Sequence, residues 1–140
     1  MWNPANTAQP SVELPVEILK TSYLGFVDDT KQLVVASQSH GLQVWKLADK
    51  TVRTLYAGDG NKMQGTTDLV TEAAGHGHLL ATGHGTGTIR LWDLAAGTEL
   101  AHATRHTARV SSLSLARDST RLLSADADGV IFVWPLAESK

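Results

Sequence analysis

Cysteine is absent from this 140-residue chain, which excludes disulfides and thiolate metal sites. No apolar run approaches the roughly 20 residues that a membrane-spanning helix needs. Met1 to Thr7 hold no basic residue and no apolar core, so a secretory leader is not expected there. A charge excess is lacking too. Twelve Lys and Arg stand against 14 Asp and Glu, for a net charge of −2, which argues against an electrostatic nucleic-acid binder. Arg105, Arg109, Arg117 and Arg121 come nearest to a basic cluster, but they are scattered among polar turns and read as solvated loop charges. These absences predict a soluble intracellular protein, in the cytoplasm first and with the nucleus left open, whose partners are neither nucleic acid nor membrane.

What the chain does contain is one pattern written three times. Leu122 to Asp126 runs up to an Asp128-Gly129 turn, and Val130 to Trp134 follows as a β-branched and aromatic run. Leu79 to Trp92 repeats the pattern around Gly85 and Gly87, and Leu33 to Trp45 repeats it around Gly41. The tryptophans stand 47 and 42 residues apart, a period long enough for four short strands. The predicted class is all-β: antiparallel four-stranded units over 20–56, 57–103 and 104–136. A flexible lead-in is expected over 1–10 and a tail over 137–140. Val12, Leu14, Val16 and Ile18 alternate around Pro15, which suits an edge strand and not a central one. In the second unit Leu69 to Thr71 reads as a weak inner strand and Ala73 to His78 as a turn. In the third, Pro135 follows the last strand and no outer strand is expected.

Val44-Trp45-Lys46-Leu47, Leu91-Trp92-Asp93-Leu94 and Val133-Trp134-Pro135-Leu136 stand in phase. They resemble the WD-repeat (WD40) family, whose units are blades of a β-propeller. The resemblance implies about three blades, a partial propeller. It further implies a hydrogen-bond network bracing a blade, carried onto His106, Ser124, Asp128 and Trp134. In the second repeat Thr82 and Trp92 keep their places, with Thr86 where the aspartate would be. In the first only Trp45 is kept, with Val35 and Ser39 at the other positions. Blade three is therefore expected to be the most rigid and blade one the loosest.

A histidine, a serine and an aspartate together invite a catalytic-triad reading. The structural brace is preferred, because no Gly-x-Ser-x-Gly elbow is present. His76 and His78 could share a metal, but His84 lies beyond a strand, roughly 16–20 Å away at ~3.3 Å per residue. No metal and no cofactor is therefore expected, and these histidines read as solvated. Gly83 to Gly87 lacks the Lys-Ser/Thr ending of a phosphate loop. The family resemblance implies a non-catalytic scaffold for protein–protein interaction, part of a larger propeller or a multiprotein complex. The alternatives are a regulatory segment of a multidomain enzyme and a small-ligand-binding propeller. Ala57 to Thr66, with Asp59, Lys62 and Met63, exceeds what a turn needs and is the candidate partner-contact loop. Three blades should leave apolar outer faces on blades one and three, to be covered by further blades or by self-association.

Overall fold

The computed structural model describes residues 21–27, 31–37, 41–56 and 70–136. The expected lead-in, the strand around Pro15, the loop bearing Asp59, Lys62 and Met63, and the tail lie outside the described residues. Within them, eleven strands form three antiparallel sheets. Blade one is β1 (Thr21–Val27), β2 (Gln32–Ser37), β3 (Gly41–Lys46) and β4 (Thr51–Tyr56), paired in that order. Blade two is β5 (Val70–His76), β6 (Leu79–His84), β7 (Thr88–Asp93) and β8 (Thr98–Thr104). Blade three has β9 (Val110–Leu115), β10 (Arg121–Asp126) and β11 (Ile131–Pro135). The fold class read from the sequence is the one observed.

Turn chemistry places the reversals. Asp49 Oδ1 accepts the N–H and hydroxyl of Thr51 at 3.1 and 2.6 Å. Asp118 does the same for Thr120 at 3.0 and 2.7 Å. Each aspartate thereby supports a left-handed residue, Lys50 at φ 56° and Ser119 at φ 59°. In blade two β5 departs from expectation: it runs on through Ala73 to His76, where a turn was predicted. The reversal needs only Gly77 and His78, because Gly77 takes φ 59°. Low β-propensity hid this strand, and its setting between β1 and β9 overrides propensity.

The blades stack through unlike faces. Directly paired residues share a face, so Val34, Ala36, Leu42 and Val44 of blade one form one surface. It packs on Leu80, Trp92 and Leu94 of blade two. The opposite face of blade two, with Ala81 and Ile89, receives Val110 and Leu122 of blade three. Gly83 belongs to this second contact. A Cβ there would lie 2.4 Å from Val110 Cγ1, so close approach requires glycine. The stack also has a polar tie, from Arg53 Nη2 to the Leu94 carbonyl at 2.6 Å.

The two end faces differ. On blade three Leu123, Ile131 and Val133 are 44%, 67% and 58% exposed, as three blades predict. On blade one Leu24 and Phe26 are exposed, yet Val35 and Trp45 on the same face are buried. The expected apolar patch on blade one is therefore only partial.

Candidate functional site

The polar constellation of blade three grows out of strand alternation. Leu122, Ser124 and Asp126 point to one face of β10, and Trp134 is paired with Leu122 on the neighbouring strand. His106 arrives from the segment ahead of β9. The Trp134 indole N–H donates to Ser124 Oγ at 2.8 Å. Ser124 Oγ lies 2.7 Å from His106 Nε2, and His106 Nδ1 lies 2.8 Å from Asp126 Oδ2. With Nδ1 protonated, every group has a partner: indole to hydroxyl, hydroxyl to imidazole, imidazole to carboxylate. The His106 and Asp126 side chains are fully buried. Phe132 closes the cluster, 4.7 Å from the His106 ring and 5.8 Å from Trp134 between centroids.

The carboxylate is thus Asp126 and not Asp128, which corrects the network expected from the resemblance. Asp128 lies in the turn with an exposed side chain. It reaches the network only through its backbone N–H, which donates to Asp126 Oδ1 at 3.0 Å. Asp126 is two residues beyond Ser124 and shares its face; Asp128 is past the end of the strand. The Val130 N–H also donates to Asp126 Oδ1 at 3.0 Å, so one carboxylate holds both the histidine and the Asp-Gly turn. Burial works to raise the Asp126 carboxyl. The Val130 N–H, His106 and the Asp128 N–H outweigh it and hold the group below the usual carboxylate range.

Register carries the comparison to the other blades. In blade two, Trp92 pairs with Leu80, and its indole N–H donates to Thr82 Oγ1 at 2.9 Å. The next residue on that face is His84, whose Nε2 lies 2.9 Å from Thr82 Oγ1. His84, not Thr86, occupies the position of Asp126, and it is fully buried. The expectation that it is solvated is therefore wrong. Tyr56 of blade one packs edge-on against its ring, with centroids 5.3 Å apart. In blade one the equivalent positions hold Val35 and Ser37. Val35 has no hydroxyl to offer, and the buried Trp45 Nε1 has no hydrogen-bond partner. The Gln43 Oε1 is likewise buried and unpartnered.

The Asp126–His106–Ser124 chain has the connectivity of a hydrolase relay, but it cannot present a nucleophile. Ser124 is 1% exposed and its Oγ already accepts the tryptophan N–H. A relay of that kind needs an accessible oxygen beside oxyanion donors. Among the described residues, no group of three His, Asp or Glu could hold a metal ion. His78 is exposed and His84 lies at the far end of β6. Arg105, Arg109, Arg117 and Arg121 are all exposed.

Comparison with known proteins agrees with this architecture. The family model described as "WD domain, G-beta repeat" matches residues 49–93 and 97–135. WD repeat domain 54 of Rattus norvegicus is 28% identical over 125 residues, covering 89% of this chain and 35% of that protein. Coronin-7 of the same organism is 24% identical over 132 residues, covering 92% of this chain and 14% of its own length. The chain spans about a third or less of the length of these relatives. Among solved structures, that of U3-55K superposes with a TM-score of 0.75 at 22% identity, over 88% of this chain and 38% of that one. That likeness concerns the fold.

Proposed function

The chain belongs to the WD-repeat family, and from that premise we propose that it is a non-catalytic scaffold that holds protein partners inside the cell. One observation carries the reading. The cluster best equipped for chemistry, His106 with Ser124 and Asp126, is spent on internal hydrogen bonds and has no exposed side chain to offer a substrate. The described turns at the rim are, by contrast, polar and accessible, with Asp128, Arg105 and Arg109 exposed. Rigid blades that present variable loops are suited to recognition. The net charge of −2 favours proteins over nucleic acid as partners.

We place the principal contact on the loop 57–66, with Asp59, Lys62 and Met63 as its contact residues. Affinity capture with the full chain, followed by mass spectrometry, tests both statements. A reproducible protein partner that is lost when 57–66 is replaced by a short glycine turn supports the scaffold and its loop. Retention of the partner after replacement moves the contact elsewhere. Turnover in a hydrolase panel, abolished by His106→Ala in a folded protein, would sink the reading.

A further inference from the structure

Residues 105–109 join β8 to β9 and belong to no strand. Three contacts fix their course. The His106 ring is buried and meets Ser124 and Asp126 through its two nitrogens. The Arg109 carbonyl accepts the Ala127 N–H at 3.0 Å. From blade two, Gly87 comes so near that a Cβ there would lie 2.2 Å from the His106 carbonyl oxygen. On this fixed course Arg105, Thr107 and Arg109 are exposed. Among the described residues, Thr107 carries the one hydroxyl that is exposed, off the strands and without a hydrogen bond. The turn hydroxyls of Thr86 and Thr120 are half-buried and engaged, the first with Thr88 and the second with Asp118. The guanidinium groups of Arg105 and Arg109 are also uncommitted among the described residues, whereas that of Arg90 is paired with Glu99 and that of Arg53 with the Leu94 carbonyl.

We propose that Thr107 is a phosphorylation site, and that Arg105 and Arg109 hold the phosphate once it is made. The donor is ATP and the catalyst a serine/threonine protein kinase that selects basic substrates. Thr107 Oγ attacks the γ-phosphorus, the bond to the leaving ADP oxygen breaks, and the hydroxyl proton passes to the base of the kinase. The segment lies outside the ladders, so no strand has to be peeled away for the hydroxyl to be reached. Each arginine stands two residues from Thr107, within about 7 Å of chain, and has its donors free. A threonine phosphate carries a charge of about −1.5 to −2 and accepts several charge-assisted hydrogen bonds at once. Asp128 is exposed in the adjoining turn and Asp126 is engaged with His106, so the acidic side repels the new group and the two guanidinium groups draw it. Phosphate thereby turns a rim segment that is net positive into one that is net negative. Because Gly87, His106 and Ala127 fix the backbone, the charge stays at one place between blades two and three. As a switch on partner binding the site rests on the scaffold reading; as a modification site it does not.

The test is incubation of the full, folded chain with ATP and the catalytic domain of protein kinase C, followed by mass spectrometry. One phosphate, mapped to Thr107, is expected. Thr107→Val should abolish it and Thr107→Ser should keep it, and neither exposed substitution disturbs the fold. No incorporation, incorporation at other residues alone, or incorporation at Thr107 only after urea has unfolded the chain overturns the proposal. The role of the arginines is read separately, on a chain with phosphothreonine encoded at position 107 and titrated by phosphorus NMR. Its second ionisation should lie at least about half a pH unit lower than in the same chain carrying Arg105→Gln and Arg109→Gln. Equal midpoints would show that the arginines do not hold the phosphate. Labelling at Thr107 in a chain that captures no partner would sink the scaffold reading and leave this site standing. Partner capture through the loop 57–66 in a chain that takes no phosphate would do the reverse.

Discussion

His84 and Asp126 occupy the same register position in adjacent blades, each two residues beyond the hydroxyl that receives a tryptophan N–H. One blade ends this row with a carboxylate that anchors a histidine from outside the sheet. The other ends it with the histidine itself. The two rows share the Trp-to-hydroxyl bond and differ in everything beyond it, so substitutions in blade three need not behave as they would in blade two.

Removing the imidazole from blade three leaves the Ser124 hydroxyl and the Asp126 carboxylate short of a partner inside the protein. His106→Ala should therefore cost about 2–4 kcal/mol, the sum of lost packing and unmet polar groups. Asp128→Ala should stay within about 0.5 kcal/mol, as befits an exposed turn side chain. Urea denaturation of the two variants measures the difference. Equal losses would show that Asp128, not Asp126, holds the histidine.

Acid should find the same carboxylate. The Asp126 carboxyl is lowered in the folded state, so its contribution is fully present above the ordinary carboxylate range and is lost as pH falls through that range toward the folded value. Asp49 and Asp118 are lowered as well, by their bonds to Thr51 and Thr120, and share that window. Melting temperature followed from neutral pH into that range should thus fall less steeply for Asp126→Asn than for the parent chain. Superimposable slopes would mean that Asp126 has no share in the acid response.

Blade one offers a repair. Val35 occupies the place of Thr82 and Ser124, and the Trp45 N–H is buried without an acceptor. Val35→Thr supplies one with almost no change in volume, and should stabilise the chain by about 1 kcal/mol. Val34→Thr, one residue away on the other face, buries a hydroxyl in the aliphatic contact with blade two and should cost about 1–3 kcal/mol. Thermal melts of the pair decide: two losses of equal size would mean that the threonine at 35 does not reach the indole.

Two glycines separate strain from crowding. Gly129 and Gly87 both have positive φ, 82° and 84°. An added Cβ at Gly129 meets open space, whereas at Gly87 it would lie 2.2 Å from the His106 carbonyl oxygen. Gly129→Ala should cost about 1–2 kcal/mol in backbone strain. Gly87→Ala should cost more, because blade two's turn presses against the backbone that carries His106. Chemical denaturation of both variants ranks them.

Much of this was readable from residue types alone. The tryptophan period gave the blades, and Asp-Gly and Gly-rich turns gave the reversals between second and third strands. The resemblance points two residues too far for the carboxylate, into the turn, whereas strict alternation from Leu122 through Ser124 leads to Asp126. The same alternation from Leu80 through Thr82 leads to His84, which flanking glycines made look like a solvated turn residue. Residue preference ends β5 too early, because Ala73, Ala74 and Gly75 favour strand little and packing between β1 and β9 makes them extended.

The unlike faces of the blades give the stack a polarity. Each contact joins an aliphatic face, such as Val34 and Val44, to a tryptophan-bearing one, such as Leu80 and Trp92. The uncovered face of blade three, with Leu123 and Val133, is of the aliphatic kind. Whatever settles on it in the same manner must do so head to tail. For a second copy of this chain, such heterologous addition has only two outcomes, a ring if the rotation closes and an open-ended fibre if it does not. In such an assembly the angle between blades decides between a discrete particle and a polymer.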